Sequence, residues 1–496
     1  MRQKRLQTFL ATAPVLTLLL ICIVVGEAVT RTSLTEITNW YDDRIPNLME
    51  RYDTPGAAVG LIRDGEPVWS EGYGYIDREQ SARVDTDTYF RAESMTKSLT
   101  AWAVMILVEQ DRLDLDDPVE KYLTRWEFPE TEFDTRGVTI RRLLSHTAGI
   151  FSGIFSTLDC DKWFPPVEQV LIDIDDGVES WFVAEPGERF VYSNPGYIIL
   201  ELVIEEVTGQ SYREFVRDHL LTPLGMHSSG FTPVEYIVEN RVTGYLYTGE
   251  TVSLDPEPVN AHGGLYTTVD EMALFISAGL PGTSGNTDIL SQESLEILYT
   301  PVEKTEGFYT LATDSMALGH FTERLDQDVT VISHGGQGSG WLAFYHMIPE
   351  TGDGLLIFTN SEQSWRLLGH LITDWSDWIG VQTPGIGIAF SQFAAFLWLL
   401  TALVFTAGSA GLGYLIRGLW IGHREFDTKI SVARLSGAMK LSAAVVMFVL
   451  AWWISGYYMI AGMFPVISRC LTAVLSICAA VFLLYLIFPR ISKKNM

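Results

Sequence analysis

Between residues 29 and 385 this 496-residue chain has only four lysines: Lys97, Lys121, Lys162 and Lys304. The same stretch holds 22 basic and 58 acidic residues, a net charge of −36. A surface that acidic repels phosphate, so nucleic acid is not an expected partner. The acidity suits a domain solvated in a salty exterior, or one that attracts cationic substrates. Cysteine is as scarce: Cys22, Cys470 and Cys478 lie in apolar runs, which leaves Cys160 alone in the acidic stretch. An internal disulfide there is excluded, as is a zinc site built of cysteines. There is no H-E-x-x-H motif, and His146 and His262 lack metal-ligand spacing. No metal and no cofactor is expected. Internal repeats and low-complexity tracts are also missing.

The apolar residues collect at the two ends. Met1-Arg2-Gln3-Lys4-Arg5 precedes an apolar stretch from Phe9 to Val25, and Gly26-Glu27-Ala28 offers a small-x-small cleavage site. Residues 1–28 therefore read as a signal peptide cut after Ala28, with an uncleaved N-terminal anchor as the alternative. Three further runs, Ile388–Ile416, Leu441–Phe464 and Val466–Phe488, are each long enough to cross a bilayer. Residues 386–490 thus read as three transmembrane helices, with the lipid bilayer as a partner. Arg417, Arg424, Lys429, Arg434 and Lys440 lie between the first two runs, and Arg490, Lys493 and Lys494 follow the third. Basic loops stay inside, which places the acidic stretch outside the cell membrane. The basic N-terminus predicts the same orientation. No acid or histidine inside the three runs marks an ion pathway, so an anchor is expected rather than a transporter.

Residues 33–380 alternate short strands and helices. Ala57–Arg63 and Pro67–Tyr75 flank the turn Asp64-Gly65-Glu66 as a hairpin. Thr96–Asp111 has helical spacing, and Tyr197–Thr208 reads as a helix stopped by Gly209. Val329–Ser333, Trp341–Ile348 and Leu355–Asn360 read as strands, with Thr351-Gly352-Asp353-Gly354 as a turn. Strands at both ends and helices between predict an α+β fold, with one antiparallel sheet built from both ends of the segment.

Three motifs carry chemistry. In Ser94-Met95-Thr96-Lys97, at the start of the predicted helix, residues three apart share a face, so the Lys97 amine reaches the Ser94 hydroxyl. The helix N-terminus adds free N–H groups near Ser94. Taken alone this pair is common at exposed helix starts. In Tyr192-Ser193-Asn194, a phenol near a lysine is pushed towards phenolate and serves as general base, and Asn194 positions a substrate amide. The bland alternative is a buried tyrosine beside a helix cap. In His334-Gly335-Gly336-Gln337, the glycines admit a substrate backbone. The Gln337 and Ser94 N–H groups make an oxyanion hole, and His334 faces the site with a donor. Here the alternative is a glycine bulge at a strand end.

In this order and spacing the motifs resemble the class C β-lactamase and penicillin-binding-protein superfamily of serine hydrolases. Leu143–Ile150, Pro186–Asn194, Pro223-Leu224-Gly225-Met226 and Gly263–Thr268 support the resemblance, which covers about 33–380. It implies a β-lactamase/transpeptidase-like domain: an antiparallel sheet flanked by helices, plus a helical subdomain. It also implies Ser94 as the acylated nucleophile with Lys97 and Tyr192 as proton shuttles, and substrate binding by Asn194, His334, Gly336 and Gln337. Class C enzymes carry Lys-Thr-Gly where this chain has His334-Gly335-Gly336. The missing cation argues against efficient β-lactam hydrolysis. The His-x-Gly form is shared by family esterases and D-amino-acid peptidases. A membrane-anchored subgroup that matures non-ribosomal prodrugs has a similar plan, with three C-terminal membrane helices. That subgroup reads an acyl-D-Asn cap through an Asn and an acid, where this chain has Gly338 and Arg91. The architecture carries over and the D-Asn specificity does not.

The expected activity is hydrolysis of an amide or ester in a small molecule or peptide outside the cell, first as a peptidase or D-amino-acid-type amidase. Esterase or weak β-lactamase action on the same fold is the alternative. A non-catalytic, penicillin-recognising sensor or scaffold is the alternative of another class.

Overall fold

The computed structural model describes residues 33–153, 165–231, 240–252, 260–281, 289–426 and 435–491. The N-terminal leader or anchor and Cys160 lie outside these residues. Ten strands, β1 (Gly56–Arg63), β2 (Glu66–Gly74), β3 (Phe90–Arg91), β4 (Tyr266–Thr267), β5 (Glu303–Lys304), β6 (Ser315–Met316), β7 (Phe321–Asp326), β8 (Val329–Gly338), β9 (Trp341–Ile348) and β10 (Asp353–Thr359), form two sheets among the described residues. The larger is antiparallel with order β2-β1-β10-β9-β8-β7-β6-β5. The hairpin from the start of the chain pairs with the strands from its end, as the α+β reading expects. The first strand and the last lie side by side, Val59 opposite Ile357.

Side chains along the sheet alternate with period two, which assigns them to two cores. Leu356 and Phe358 of β10 face one core, and Leu355 and Ile357 face the other. The first core is covered by helices α2 (Thr96–Glu109), α3 (Val167–Gly177), α4 (Asn194–Thr208), α5 (Val269–Ala278) and α6 (Gln292–Tyr299). The second is covered by α1 (Leu34–Arg51) and α7 (Trp365–Ile379), whose Trp375 and Leu371 are fully buried. Both faces of the sheet are therefore dry, a three-layer arrangement.

Two of the boundaries that differ from the sequence reading bear on the site. Helix α4 begins at Asn194 rather than Tyr197, because the Ser193 Oγ caps it by accepting from the Gly196 N–H at 3.1 Å and Pro195 suits the first turn. It ends where expected, at Gly209, which takes a left-handed φ of 72°. Strand β8 does not stop at Ser333 but runs through both glycines to Gly338, pairing Gly335 with Phe344 and Gly336 with Ala343. The two glycines are thus in a paired strand and not a bulge.

Beyond the sheet, α8 (Gly385–Trp420), α9 (Leu435–Gly456) and α10 (Pro465–Ile487) are apolar and long enough to cross a membrane. Helix α8 has 36 residues, about 54 Å at 1.5 Å per residue, which exceeds the ~30 Å of a bilayer core. Its first turns lie against the hydrolase-like domain: the Phe390 ring meets Trp365 at a tilt, with centroids 5.4 Å apart, and the Gly385 N–H donates to Glu323 Oε1 at 2.7 Å.

Candidate active site

Ser94 sits on a single 3-10 turn, Glu93–Met95, that leads into α2. Lys97 follows in the first turn of the helix, fully buried. A buried ammonium or amine is stable only with hydrogen-bond partners. The Lys97 Nζ has Ser94 Oγ at 3.1 Å, Asn194 Oδ1 at 2.8 Å and the His262 carbonyl oxygen at 2.6 Å. Two of these only accept, while the serine hydroxyl also has a proton to give. The set therefore suits an amine that donates two protons and receives the third from Ser94.

Tyr192 lies beside Ser94, and the Lys97 nitrogen lies 5.1 Å from its ring centroid. Its ring is stacked on Tyr309 at 5.3 Å and lies 4.2 Å from the His146 ring. Burial raises the phenol well above the ordinary tyrosine value, the Tyr309 phenol adds to this, and the nearby Ser94 hydroxyl works in the opposite direction. The push towards phenolate expected from the sequence is thus outweighed by desolvation. At rest Tyr192 is a protonated group beside Ser94.

The segment carrying Tyr192 is templated by the Leu143–Ile150 motif. The His146 Nδ1 accepts from the Ser193 N–H at 3.0 Å and its carbonyl accepts from the Val191 N–H at 2.8 Å. The Gly187 N–H donates to the Thr147 carbonyl at 2.7 Å. His146 is thus held neutral by burial, with Lys97 and His334 nearby acting in the same direction.

Asn194 already makes two bonds: its Oδ1 accepts from Lys97 and its Nδ2 donates to the Gly153 carbonyl at 2.8 Å. One amide proton is left to meet a substrate. His334 is buried, and its Nδ1–H donates to the Gly335 carbonyl at 2.8 Å. The donor expected from its ring is therefore used within the chain, and the Nε2 that remains is an acceptor. Burial, with Lys97 adding to it, lowers His334 to about 3.

The third motif meets the nucleophile at close range. A Cβ on Gly336 would lie 2.2 Å from the Ala92 carbonyl oxygen, so only glycine lets the Ser94 turn lie on β8. Strand β7 pairs with β8 only as far as Ser333, opposite Phe321. The β8 edge at His334–Gly338 thus stays uncovered by β7 beside Ser94, and Gln337 is exposed on it. Together the three motifs bring Ser94, Lys97, Tyr192 and Asn194 beside an open strand edge, gathered from the start of α2, the segment leading into α4 and β8.

Glu201, Glu93, Tyr309 and Phe321 were not singled out in the sequence, and Arg91 was noted there only as a departure from the prodrug-maturing subgroup. Glu201, buried on α4, accepts from the Asn260 N–H, the Asn260 Nδ2 and the Ala261 N–H at 2.7, 2.8 and 2.8 Å. This holds the loop that delivers the His262 carbonyl to Lys97. Arg91 Nε and Glu93 Oε1 form a buried ion pair at 3.0 Å beside Ser94. Phe190, Tyr309 and Phe321 wall in Tyr192. An isolated Glu inside an apolar helix was the one available signal for Glu201.

The Beta-lactamase family model matches residues 41–371. The chain belongs to the beta-lactamase family of serine hydrolases. Among its relatives, Protein flp of Staphylococcus aureus (strain MW2) is 26% identical over 339 residues, 67% of this chain. The match takes in only 65% of that relative's length. Penicillin-binding protein 4* of Bacillus subtilis (strain 168) is 24% identical, over 64% of this chain and 70% of its own. In three dimensions the octameric penicillin-binding protein homologue from Pyrococcus abyssi superposes with a TM-score of 0.58 at 29% identity, over 67% of this chain and 77% of that one. The D-amino acid amidase from Ochrobactrum anthropi SV3 superposes at 0.55 over 66% and 90%. At 24% identity, that likeness is one of fold.

Proposed function

We propose that this beta-lactamase-family member is a membrane-anchored hydrolase that cleaves an amide or ester outside the cell through a Ser94 acyl-enzyme. The observation that carries the reading is the placement of Lys97 Nζ between Ser94 Oγ, Asn194 Oδ1 and the His262 carbonyl. Two pure acceptors orient the amine so that its third position takes the serine proton. Ser94 Oγ then bonds to the substrate carbonyl carbon, and the oxyanion is received by the Ser94 and Gln337 N–H groups. Tyr192, protonated at rest, gives its proton to the leaving nitrogen or oxygen and regains one from Lys97. Water repeats the cycle in reverse order to free Ser94.

A peptide or D-amino-acid amide is the first choice of substrate, laid along the open β8 edge as an added strand. The neutral His334 supports this over β-lactams, because it offers no cation to a substrate carboxylate. The basic Arg417–Lys440 loop and the basic tail support an extracytoplasmic domain.

The test is a fluorophosphonate probe on detergent-solubilised protein, followed by turnover of D-amino-acid amides, short-chain esters and penicillins. Labelling that disappears in S94A is expected. A folded wild-type chain that is never labelled would instead be a scaffold.

A further inference from the structure

At the end of the helical bundle farthest from the hydrolase domain, the last turns of α8 and the segments that follow α8 and α10 line a cavity of about 680 Å³. The two helices run parallel with a constant offset: Cys478 Sγ donates to the Val404 carbonyl and the Tyr485 hydroxyl to the Gly411 carbonyl. Their exits therefore reach the same side, where the chain after α8 and the chain after α10 join as two short antiparallel segments. Arg424 stands directly opposite Arg490, and the Ile491 N–H donates to the His423 carbonyl at 3.1 Å. With Arg417 and His423 these arginines line the cavity.

Like charges placed opposite one another across a strand pair are destabilising. Several arginines elsewhere meet carboxylates: Arg125 meets Glu168, Glu205 and Glu206, and Arg141 meets Asp116. Among the described residues no carboxylate pairs with Arg417, Arg424 or Arg490. Instead the guanidiniums are fixed in place. Arg424, buried, donates to the Phe488 carbonyl at 2.6 Å and lies 4.4 Å from the Tyr485 ring centroid. Arg490 donates to the Tyr414 hydroxyl. A Cβ on Gly418 would lie 2.8 Å from the Arg424 side chain, so a glycine makes room for that arginine against the helix. Trp420, 89% exposed, ends α8, and Phe426, 65% exposed, lies 5.7 Å from the Phe488 ring. Exposed aromatics at a helix end belong at the level of lipid headgroups.

We infer that this cavity binds the phosphate of an anionic lipid headgroup. Guanidinium forks match phosphate oxygens in geometry and charge. Basic pockets between membrane helices on the inner side are suited to such headgroups. The inference rests on the reading of α8–α10 as membrane-spanning, with the hydrolase domain on the opposite side.

The test uses the full chain, purified in mild detergent and examined by native mass spectrometry with phosphatidylglycerol, phosphatidylcholine of the same acyl chains, or inorganic phosphate. Phosphatidylglycerol is expected to be retained over phosphatidylcholine, and each guanidinium removed is expected to lower its retention roughly fivefold. Because Arg424 is buried, R424Q is read beside the exposed R417Q and R490Q, with Ser94 labelling as the check on folding. Equal retention of the two lipids, or an unchanged preference in folded R417Q/R490Q, overturns the assignment. Displacement of the lipid by millimolar inorganic phosphate, without headgroup preference, assigns the cavity to a soluble anion and overturns it too. Release of the chain from membranes by alkaline carbonate overturns the membrane reading itself. A carbonate-resistant chain without headgroup preference overturns the headgroup site alone.

Discussion

The Glu201 carboxylate binds Asn260 twice, through its backbone N–H at 2.7 Å and its side-chain Nδ2 at 2.8 Å. One residue beyond the Ala261 N–H that completes the clamp, the His262 carbonyl accepts from Lys97. Glu201 does not touch Ser94 or Lys97; it positions the carbonyl that accepts from Lys97, the proposed base. Burial pushes it up to about 7, against the three donors that work to lower it. E201Q keeps the shape but turns one acceptor into a donor facing the Asn260 amide. The lost charge-assisted bond costs about 1.5–3 kcal/mol. Turnover is expected to fall with KM less affected, and a pH–rate profile should lose an ionisation near 7. An E201Q profile superimposable on wild type contradicts the positioning role.

In the proposed mechanism Tyr192 supplies a proton rather than packing alone. Y192F preserves the stack on Tyr309 and removes only the phenol oxygen. Turnover is expected to fall by about 10²–10⁴-fold, the usual contribution of a general acid–base group. Fluorophosphonate labelling of Ser94 should be slowed and not abolished. Near-wild-type turnover in Y192F removes Tyr192 from the relay.

Gly338 and Glu93 are coupled. A Cβ on Gly338 would lie 2.1 Å from the Glu93 Cδ, and Glu93 itself holds a left-handed φ of 48° next to Ser94. G338A is expected to displace Glu93 from Arg91 and to destabilise the chain by about 1–3 kcal/mol as an overpacked site. E93G removes the obstruction and suits the positive φ, so the G338A penalty should shrink in that background. Additive losses in a double-mutant cycle, read by thermal denaturation, contradict the coupling.

Acid should unfold the hydrolase domain through its histidines. Burial lowers His334 and His346 to about 3 and His320 to about 4. Such a group stabilises the fold above its unfolded value, about 6.5, and loses that contribution as pH falls towards the folded value. Glu201 and Glu323, both raised to about 7 by burial, act in the opposite sense. Their contribution is complete below about 4.5, where both states are protonated, so the histidine loss continues unopposed. Tm is expected to fall steadily below about pH 4.5. A Tm that holds constant through that range contradicts the neutral, buried state of these rings.

His334 also bears on substrate choice. With no charge above about pH 3 it gives a penicillin carboxylate no cation at the third motif. Benzylpenicillin is expected to be turned over with a lower kcat/KM than a D-amino-acid amide. The reverse order contradicts the substrate class preferred here.

Much of the fold is written in local patterns. The hairpin β1–β2, helix α2 and strands β9 and β10 were legible because alternation, turn residues and helical spacing act over a few residues. Helices α1 and α7 were not identified. Their roles depend on which sheet face they cover, and that is decided only when β1 and β10 pair across 300 residues. The nucleophile pair was legible for the same local reason, since three residues on one helix share a face.

By itself the sequence determined the motifs, their order, the acidic domain between basic flanks and the apolar runs. The tertiary structure decided which atoms those motifs turn towards one another. It gave His334 an acceptor where a donor was expected and kept Tyr192 protonated where phenolate was expected. It also brought Glu201, Arg91 and Glu93 into the site. Each of these outcomes is a consequence of burial and of distant chain segments meeting. A side chain's charge and free hydrogen-bonding valence depend on neighbours far away in the chain, as Asn194 and His262 are from Lys97, and no local pattern encodes them.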